Sequence, residues 1–364
     1  MLGTRFDPRH NSLNALRLVL AAFVIISHSW IVAGSGLPPA LAGTDLGMFA
    51  VAGFFAISGY LIASGRLATA SLPRFLFKRA LRIYPAFLVV LVVTAVVFAP
   101  VSALLAGGAV NWGSAASYVL GNASLHITQW GIDGTLPTSF TPSWNAPLWS
   151  LVFEAVCYLG VGVLASVVPR RLFAPASVAL FVALTVGTLL TLSPATPMFT
   201  MNLLAMGSFF FAGVVLHIAR ERMPLTAPFA FVAVSLVVLV TALGPFKPLA
   251  AFPLAYLLMY LGVVLPLRRV GARNDVSYGL YVYGFPVQQL LLLSLNAVFG
   301  SVGVPVALFA VLSLAAALPF AAASWFLVER PALSLKSLRF GRGARSPAAV
   351  AAATGSTTRR GPSA

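Results

Sequence analysis

Residues 13–33 read LNALRLVLAAFVIISHSWIVA, an apolar run with Arg17 near its start and His28 near its end. A run of about 20 apolar residues is long enough to cross a bilayer as a helix. At 1.5 Å per residue, His28 lies about 16 Å along the helix from Arg17. Arg17 itself belongs at the membrane face. An ionisable side chain at membrane depth is costly and indicates a functional site. His28 is therefore the first candidate for a catalytic residue.

The composition of the whole chain resembles that of this segment. Of its 364 residues, 60% are hydrophobic and 8% are charged, whereas soluble domains have about 25% charged residues. These values exclude a soluble domain and predict an all-α, polytopic membrane protein with about ten transmembrane helices. The predicted spans are 13–33, 46–63, 83–104, 147–168, 172–192, 198–218, 226–243, 248–266, 276–297 and 303–328.

The distribution of positive charge predicts the orientation of these helices. If the N-terminus is cytoplasmic and all ten segments cross, every Lys and Arg except Lys247 falls on the cytoplasmic side. We therefore expect both termini to be cytoplasmic, in a multi-pass protein of the cell (inner or plasma) membrane. Anionic lipids account for the net charge of +16 without nucleic acid. Residues 1–340 are expected to form one integral domain, and residues 341–364 a disordered basic cytoplasmic tail.

Glu154 lies well inside an apolar run, unlike the other six acidic residues. Counted from the predicted outer helix ends, His28 lies roughly 8 Å deep and Glu154 roughly 10 Å deep. A shared depth permits a contact in which the carboxylate fixes the imidazole tautomer and balances its charge. Such a pair is also compatible with a purely structural role that locks two helices together.

The segment PRFLFKRALRIYP, residues 73–85, places several cations at helical spacing. Arg79 and Arg82 share one helix face and present two guanidinium groups that suit a phosphate. Binding of lipid phosphates is the alternative for this cluster. For Arg17, the alternative is snorkelling to lipid headgroups.

Three further features have more ordinary explanations. Cys157 is the single cysteine, which excludes an intramolecular disulfide and a cysteine-based metal site, and no metal site is predicted. Small residues in FFAISGYLI, residues 54–62, predict close helix packing. The connection over 105–146 is rich in tryptophan and predicts either interface anchoring or a lid or sugar platform over the outer mouth.

In combination, these segments resemble the acyltransferase 3 family of integral membrane O-acyltransferases. The resemblance rests on Arg17 and His28 with ten residues between them, on FFAISGYLI, and on Arg79-Ala80-Leu81-Arg82 followed by Ile-Tyr-Pro. LWSLVFE ending at Glu154, DVSYGLYVYGFP at 275–286 and VERP at 328–331 complete it. Many relatives have a histidine where this chain has Gly284, so the resemblance does not carry a second catalytic histidine over to this chain.

The resemblance implies transfer of an acyl group, often acetyl, from cytoplasmic acyl-CoA to a hydroxyl. The acceptor would be a glycan, a lipid-linked sugar or another exported compound, and no cofactor would be tightly bound. His28 would act as general base or as a transient acyl carrier, with Glu154 orienting it. Arg17, Arg79 and Arg82, together with Tyr84, would bind the donor.

A proton-coupled secondary transporter is the main alternative. Ten helices with buried His, Glu and Arg side chains also suit a carrier. Transporters commonly show internal repeats and broken helices at matched positions, and the sequence shows neither clearly. A sensor or flippase without catalytic activity is a second alternative.

Overall fold

The computed structural model describes residues 1–337 apart from 42–43, 70, 138, 192–195, 245–248 and 301–303. The described part is a helical bundle with one antiparallel pair of two-residue strands, β1 (Ala40–Leu41) and β2 (Thr44–Asp45). The predicted all-α class is confirmed. The predicted tail, residues 341–364, lies outside the described residues.

The helices are numbered in chain order. They are α1 Leu2–Arg5, α2 Leu13–Val32, α3 Leu46–Leu67, α4 Leu72–Val93, α5 Ala99–Leu105, α6 Trp112–Asn122, α7 Ser150–Val167, α8 Arg170–Leu190, α9 Met198–Ala219, α10 Ala227–Ala242, α11 Ala251–Val264, α12 Ser277–Phe299, α13 Val306–Ser324 and α14 Arg330–Ser334. Two π-helical turns, Thr94–Phe98 and Trp325–Glu329, continue α4 and α13. Two 3-10 turns, Ala146–Trp149 and Leu335–Ser337, precede α7 and follow α14.

Each of the ten predicted spans contains a helix, but not all of these helices cross a membrane by length and composition. Within the described ranges, seven segments are long and apolar enough: Leu13–Val32, Leu46–Leu67, Leu72–Leu105, Ala146–Val167, Arg170–Leu190, Met198–Ala219 and Val306–Ser337. Helices α10 and α11 have 16 and 14 residues. These lengths give about 24 and 21 Å, less than the hydrocarbon thickness of about 30 Å. The protein is a helical membrane protein, and the number ten and the orientation of the termini stay predictions.

Backbone contact between α3 and α9 confirms the packing role predicted for residues 54–62. A Cβ at Gly59 would lie 1.8 Å from the Phe210 carbonyl oxygen, and one at Gly213 would lie 2.2 Å from the Ala56 oxygen. Only glycine fits at such a crossing, because any side chain would force the two backbones apart. This contact fixes α3, which carries part of the site described below.

The N-terminus of α3 is tied to the end of α2 that carries His28. Asp45 caps α3 by accepting hydrogen bonds from the backbone N–H groups of Gly47 and Met48. The same carboxylate accepts a 2.5 Å hydrogen bond from Ser27. The cap therefore holds the His28 end of α2 against α3.

Helices α2 and α12 run in parallel and place their charged ends together. Gln288 of α12 donates to the Ile25 carbonyl of α2, and Asp275, just before α12, pairs with Arg17 of α2. The end of the bundle where α2 and α4 begin, with Arg17, Arg79 and Arg82, is called the basic end. The opposite end carries α6 and residues 123–145.

Candidate active site

A cavity of about 370 Å³ lies at the basic end, between α2, α3, α4, α7 and α12. Five cationic side chains and two carboxylates line it: Arg17, Arg79, Arg82, Arg273, Lys336, Glu154 and Asp275. This excess of positive charge suits an anionic ligand that carries phosphate groups. The three arginines predicted to bind one ligand therefore do line one cavity, which is called the basic cavity.

Asp275 links two of the arginines that line the basic cavity. One of its oxygens, Oδ2, accepts hydrogen bonds of 2.7 Å from both Arg17 Nη1 and Arg82 Nη2. Its other oxygen, Oδ1, accepts a 2.6 Å hydrogen bond from the Ser277 hydroxyl. Burial raises the pKa of Asp275, but the guanidinium groups of Arg17 and Arg82 and the Ser277 bonds outweigh it and hold that pKa well below its usual range. Arg17 is thus part of an ion-pair network that joins α2 to α4 and α12.

Arg79 and Arg82 are not equivalent, although both line the cavity. Arg82 stacks over the Tyr278 ring and also pairs with Glu329 at 3.5 Å, in addition to Asp275. Arg79 stacks over the Phe75 ring, with 5.7 Å from its guanidinium carbon to the ring centroid. Within the described residues no carboxylate pairs with Arg79, and its Nε atom is buried without a hydrogen-bond partner. Arg79 therefore retains the capacity to bind a phosphate, whereas Arg82 is occupied by carboxylates.

Tyr84, which the sequence grouped with these arginines, does not line the cavity. Its side chain is 36% exposed and packs edge-on against Phe87. Two residues along a helix correspond to a rotation of about 200°, so Tyr84 faces away from Arg82. The structure gives no support to a donor-binding role for Tyr84.

The structure does not show the contact between His28 and Glu154 that their shared depth permits. In the described part of the chain, no hydrogen bond or ion pair joins these two residues; Glu154 instead accepts hydrogen bonds from Ser58 and Tyr158. Helix α7 packs against α3 and α4, and its carboxylate lines the basic cavity, which His28 does not line. The depth estimate fixed one coordinate along the membrane normal and left the lateral position open.

The His28 ring has its tautomer fixed by the backbone. Its Nδ1 lies 2.7 Å from the Val24 carbonyl oxygen, which accepts a hydrogen bond only if Nδ1 carries the proton. In the neutral ring the lone pair is then on Nε2, which makes no hydrogen bond within the part of the chain that the structure describes. Val24 therefore supplies the orientation that the sequence assigned to Glu154.

The His28 ring does not itself line the basic cavity. Val51, Ser150 and Tyr281, which lie towards His28 along their helices, line the inner end of the cavity, and the Ser150 and Tyr281 hydroxyl oxygens lie 2.7 Å apart. Phe285, one helical turn or about 6 Å beyond Tyr281, contacts the His28 ring edge-to-face with 5.2 Å between the ring centroids. One helical turn of α12 and the Phe285 ring thus separate the inner end of the cavity from His28.

Gly284 marks a close contact between α12 and α2. A Cβ at this position would lie 2.7 Å from Ile25 Cγ1, so a larger residue requires Ile25 to move. Ile25 therefore occupies the space that a side chain at position 284 would need. His28 contacts Phe285, the residue of α12 that follows Gly284.

The family model Acyl_transf_3, described as an acyltransferase domain, matches residues 10–326. The chain belongs to the acyltransferase 3 family. An O-acetyl transferase of Shigella phage Sf6 is 26% identical over 309 residues, which cover 80% of this chain and 88% of that protein. No solved structure matches the chain.

Four residues of this acyltransferase's cavity region escaped sequence reasoning: Arg273, Asp275, Glu329 and Lys336. No partner was predicted for either of the two acids from the sequence. Because acidic residues are so few, two of them on the same side as Arg17 and Arg82 were a usable signal for ion pairs. The π-helical turn Trp325–Glu329 was not predictable, and it lies where Glu329 meets Arg82.

Proposed function

We propose that this acyltransferase transfers an acetyl group from cytoplasmic acetyl-CoA to a hydroxyl of an exported glycan or lipid-linked sugar. The observation that carries the proposal is the basic cavity, which five cations line and whose inner end lies one helical turn of α12 from Phe285, the residue that contacts His28. The name of the phage relative supports the acetyl group and the oxygen acceptor. The basic end faces the cytoplasm in this proposal, where acyl-CoA is available.

The donor's phosphates bind at the mouth of the cavity. Arg79, Arg273 and Lys336 contribute positive charge there that no described carboxylate neutralises by direct pairing. Arg17 and Arg82 hold Asp275 and shape the floor. The pantetheine arm then extends between α3 and α12 towards Tyr281, which places the thioester beside His28.

His28 acts as general base on the acceptor in this scheme. Nε2 removes the proton of the acceptor hydroxyl while that oxygen attacks the thioester carbonyl carbon. A carbon–oxygen bond forms, the carbon–sulfur bond breaks, and the departing thiolate takes up the proton from His28. The Val24 carbonyl holds the ring in the orientation that leaves the lone pair on Nε2. Direct attack by Nε2 to give an acyl-imidazole remains the alternative route for the same residue.

The decisive assay uses membranes that contain the protein and acetyl-CoA labelled in the acetyl group. The proposal predicts label in the glycan fraction, and loss of that label in His28→Ala at normal protein level. A proton-coupled carrier would instead give solute uptake without label transfer, and that result would overturn the proposal.

Glu154→Gln tests whether Glu154 acts in the basic cavity or on His28. The Glu154 carboxylate orders the Ser58 and Tyr158 hydroxyls in the lining of the cavity. A hydrogen bond to a charged group is worth about 1.5–3 kcal/mol, so loss of this order is expected to lower kcat/KM for the donor about 10- to 100-fold. The pH dependence of kcat should keep its position, because Glu154 does not contact His28. A shifted pH profile of kcat would instead indicate that Glu154 acts on His28. Ser58→Ala, which removes one hydroxyl donor to Glu154, should reduce kcat/KM less than Glu154→Gln does.

Arg79→Ala is expected to raise the donor KM about tenfold or more while the protein still folds. The physical reason is the loss of the cation that retains no carboxylate partner, at a cost of about 1.5–3 kcal/mol for a charge-assisted hydrogen bond. Steady-state kinetics with acetyl-CoA measure the change. Arg74→Ala, an exposed arginine of the same helix outside the cavity, should leave the KM unchanged. An unaltered KM in Arg79→Ala would count against phosphate binding there.

A further inference from the structure

A second cavity, called the polar cleft, lies at the opposite end of the bundle. Its volume is about 820 Å³, and it lies between α6 and residues 129–136. The side chains that give it its chemistry are Asn111, Ser114, Ser117, Gln129, Asp133 and Thr135. This volume is within the range of about 300–1,000 Å³ that is usual for ligand sites.

The lining of the polar cleft is polar but scarcely charged. It contains no Lys, Arg or His, and Asp133 is its one carboxylate. The Ser117 hydroxyl and the Asp133 carboxylate make no hydrogen bond within the described ranges, so both are available to a ligand. Hydroxyl, amide and carboxylate groups complement the hydroxyls of a sugar, whereas a phosphate would require cations.

Two tryptophans next in sequence to lining residues remain exposed. Trp112 follows Asn111 and is 61% exposed, and Trp130 follows Gln129 and is 43% exposed. Exposed aromatic rings of this size offer apolar faces, and the indole N–H adds a donor. Trp144, by contrast, is fully buried and donates to Thr135. The connection predicted as either an interface or a sugar platform thus contains a buried anchor and two exposed rings.

The cleft is built rigidly before any ligand binds. Asn122 Oδ1 accepts from the backbone N–H groups of Thr128 and Gln129, and Gln129 Nε2 donates to Ser114 and Gly131. Leu136, which lines the cleft, has a φ of +54°, in the left-handed region that a leucine rarely adopts. Strain of this kind persists only where the surroundings impose it, and it is concentrated at functional sites.

The polar cleft shares a wall with the segment that covers the His28 end of the bundle. Pro142 lines the cleft, and its neighbours Thr141 and Ser143 accept hydrogen bonds from Gln289 of α12. Phe140 packs against Gly34, just beyond the end of α2. A ligand in the cleft would therefore lie on the same end of the bundle as His28.

We infer that the polar cleft binds the carbohydrate part of the acceptor, as a neutral glycan, away from the hydroxyl that is acylated. This inference rests on the proposed function, because it names where that acceptor is anchored. Remote binding of this kind orients the reacting group without contributing to the chemistry.

The test uses the full chain in lipid nanodiscs and immobilised surface polysaccharide from cells of the producing organism that lack the gene. Ser117→Trp places a large ring in the cleft from an exposed helix position. Ala116→Trp is the matched control, since Ala116 is exposed on the same helix and does not line the cleft. We expect Ser117→Trp to weaken polysaccharide binding about tenfold or more. Ala116→Trp should bind like the wild type, and both variants should keep the wild-type KM for acetyl-CoA.

Equal binding by Ser117→Trp and the wild type would overturn the inference, as would a wild-type protein that binds no neutral polysaccharide. Transfer of labelled acetyl groups, measured in parallel, separates this failure from that of the proposed function. If Ser117→Trp binds and acetylates normally, the cleft assignment falls and acetyl transfer stands. If the wild type binds polysaccharide in the cleft but transfers no label, the proposed reaction falls and the cleft assignment stands.

Discussion

His28→Ala is expected to lower acetyl transfer by about 100- to 10,000-fold, the usual contribution of a positioned general base. The ring is held by Val24 and Phe285, and Nε2 makes no hydrogen bond in the described structure. Transfer of label from acetyl-CoA to the glycan fraction measures the loss. Protein level and unfolding temperature should stay near those of the wild type, because the ring makes a single side-chain hydrogen bond in the described structure.

Two further variants sharpen this prediction. His28→Asn keeps a polar side chain that can donate a hydrogen bond but has no lone pair of comparable basicity, so it should be as inactive as His28→Ala. His126→Ala removes an exposed histidine outside the basic cavity and should retain full activity. Loss of expression in His28→Ala and His28→Asn alike would favour a structural role for His28.

Asp275→Ala is expected to destabilise the folded protein by about 3–5 kcal/mol, because it leaves Arg17 and Arg82 without their shared carboxylate. Glu329, whose carboxylate lies 3.5 Å from Arg82, still pairs with Arg82 in this variant but does not replace the partner that Arg17 loses. Thermal unfolding in nanodiscs measures the effect. Asp7→Ala removes an exposed carboxylate whose partner, His10, is also exposed, and should leave the midpoint unchanged. An unchanged midpoint in Asp275→Ala would show that the network does not hold α2, α4 and α12 together.

The same network predicts a dependence of stability on pH. The pKa of Asp275 is lower in the folded protein than in the unfolded chain, where it is about 3.9. Its stabilisation is therefore fully present above that value and is lost as pH falls through the folded pKa. The difference in stability between the wild type and Asp275→Asn should accordingly shrink below about pH 4.

Much of the fold was predictable because apolar windows mark helices whatever their neighbours are. The window 13–33 corresponds to Leu13–Val32, and 198–218 corresponds to Met198–Ala219. Whether a helix crosses is harder to predict, since α10 and α11 are shorter than their apolar windows suggested. Apolarity extends beyond a helix into its flanking loops, so it overestimates helix length.

The sequence predicted the positions of the site residues along their helices but not which helices pack against one another. Arg17, in the second turn of α2, meets Arg79 and Arg82, in the first half of α4, because both helices begin at the basic end. Depth alone could not show that α7 packs beside α3 and α4, which brings Glu154 to Ser58 rather than to His28. The tautomer-fixing bond to Val24 was equally hidden, since a backbone carbonyl leaves no pattern in the sequence.

A structure of His28→Asn with a non-hydrolysable acetyl-CoA analogue tests the central claim most directly. The account predicts phosphates bound at Arg79 and the acyl carbon beside residue 28, with room for an acceptor oxygen about 3–3.5 Å from that carbon. An analogue bound outside the basic cavity, or one whose acyl group ends far from residue 28, would contradict it.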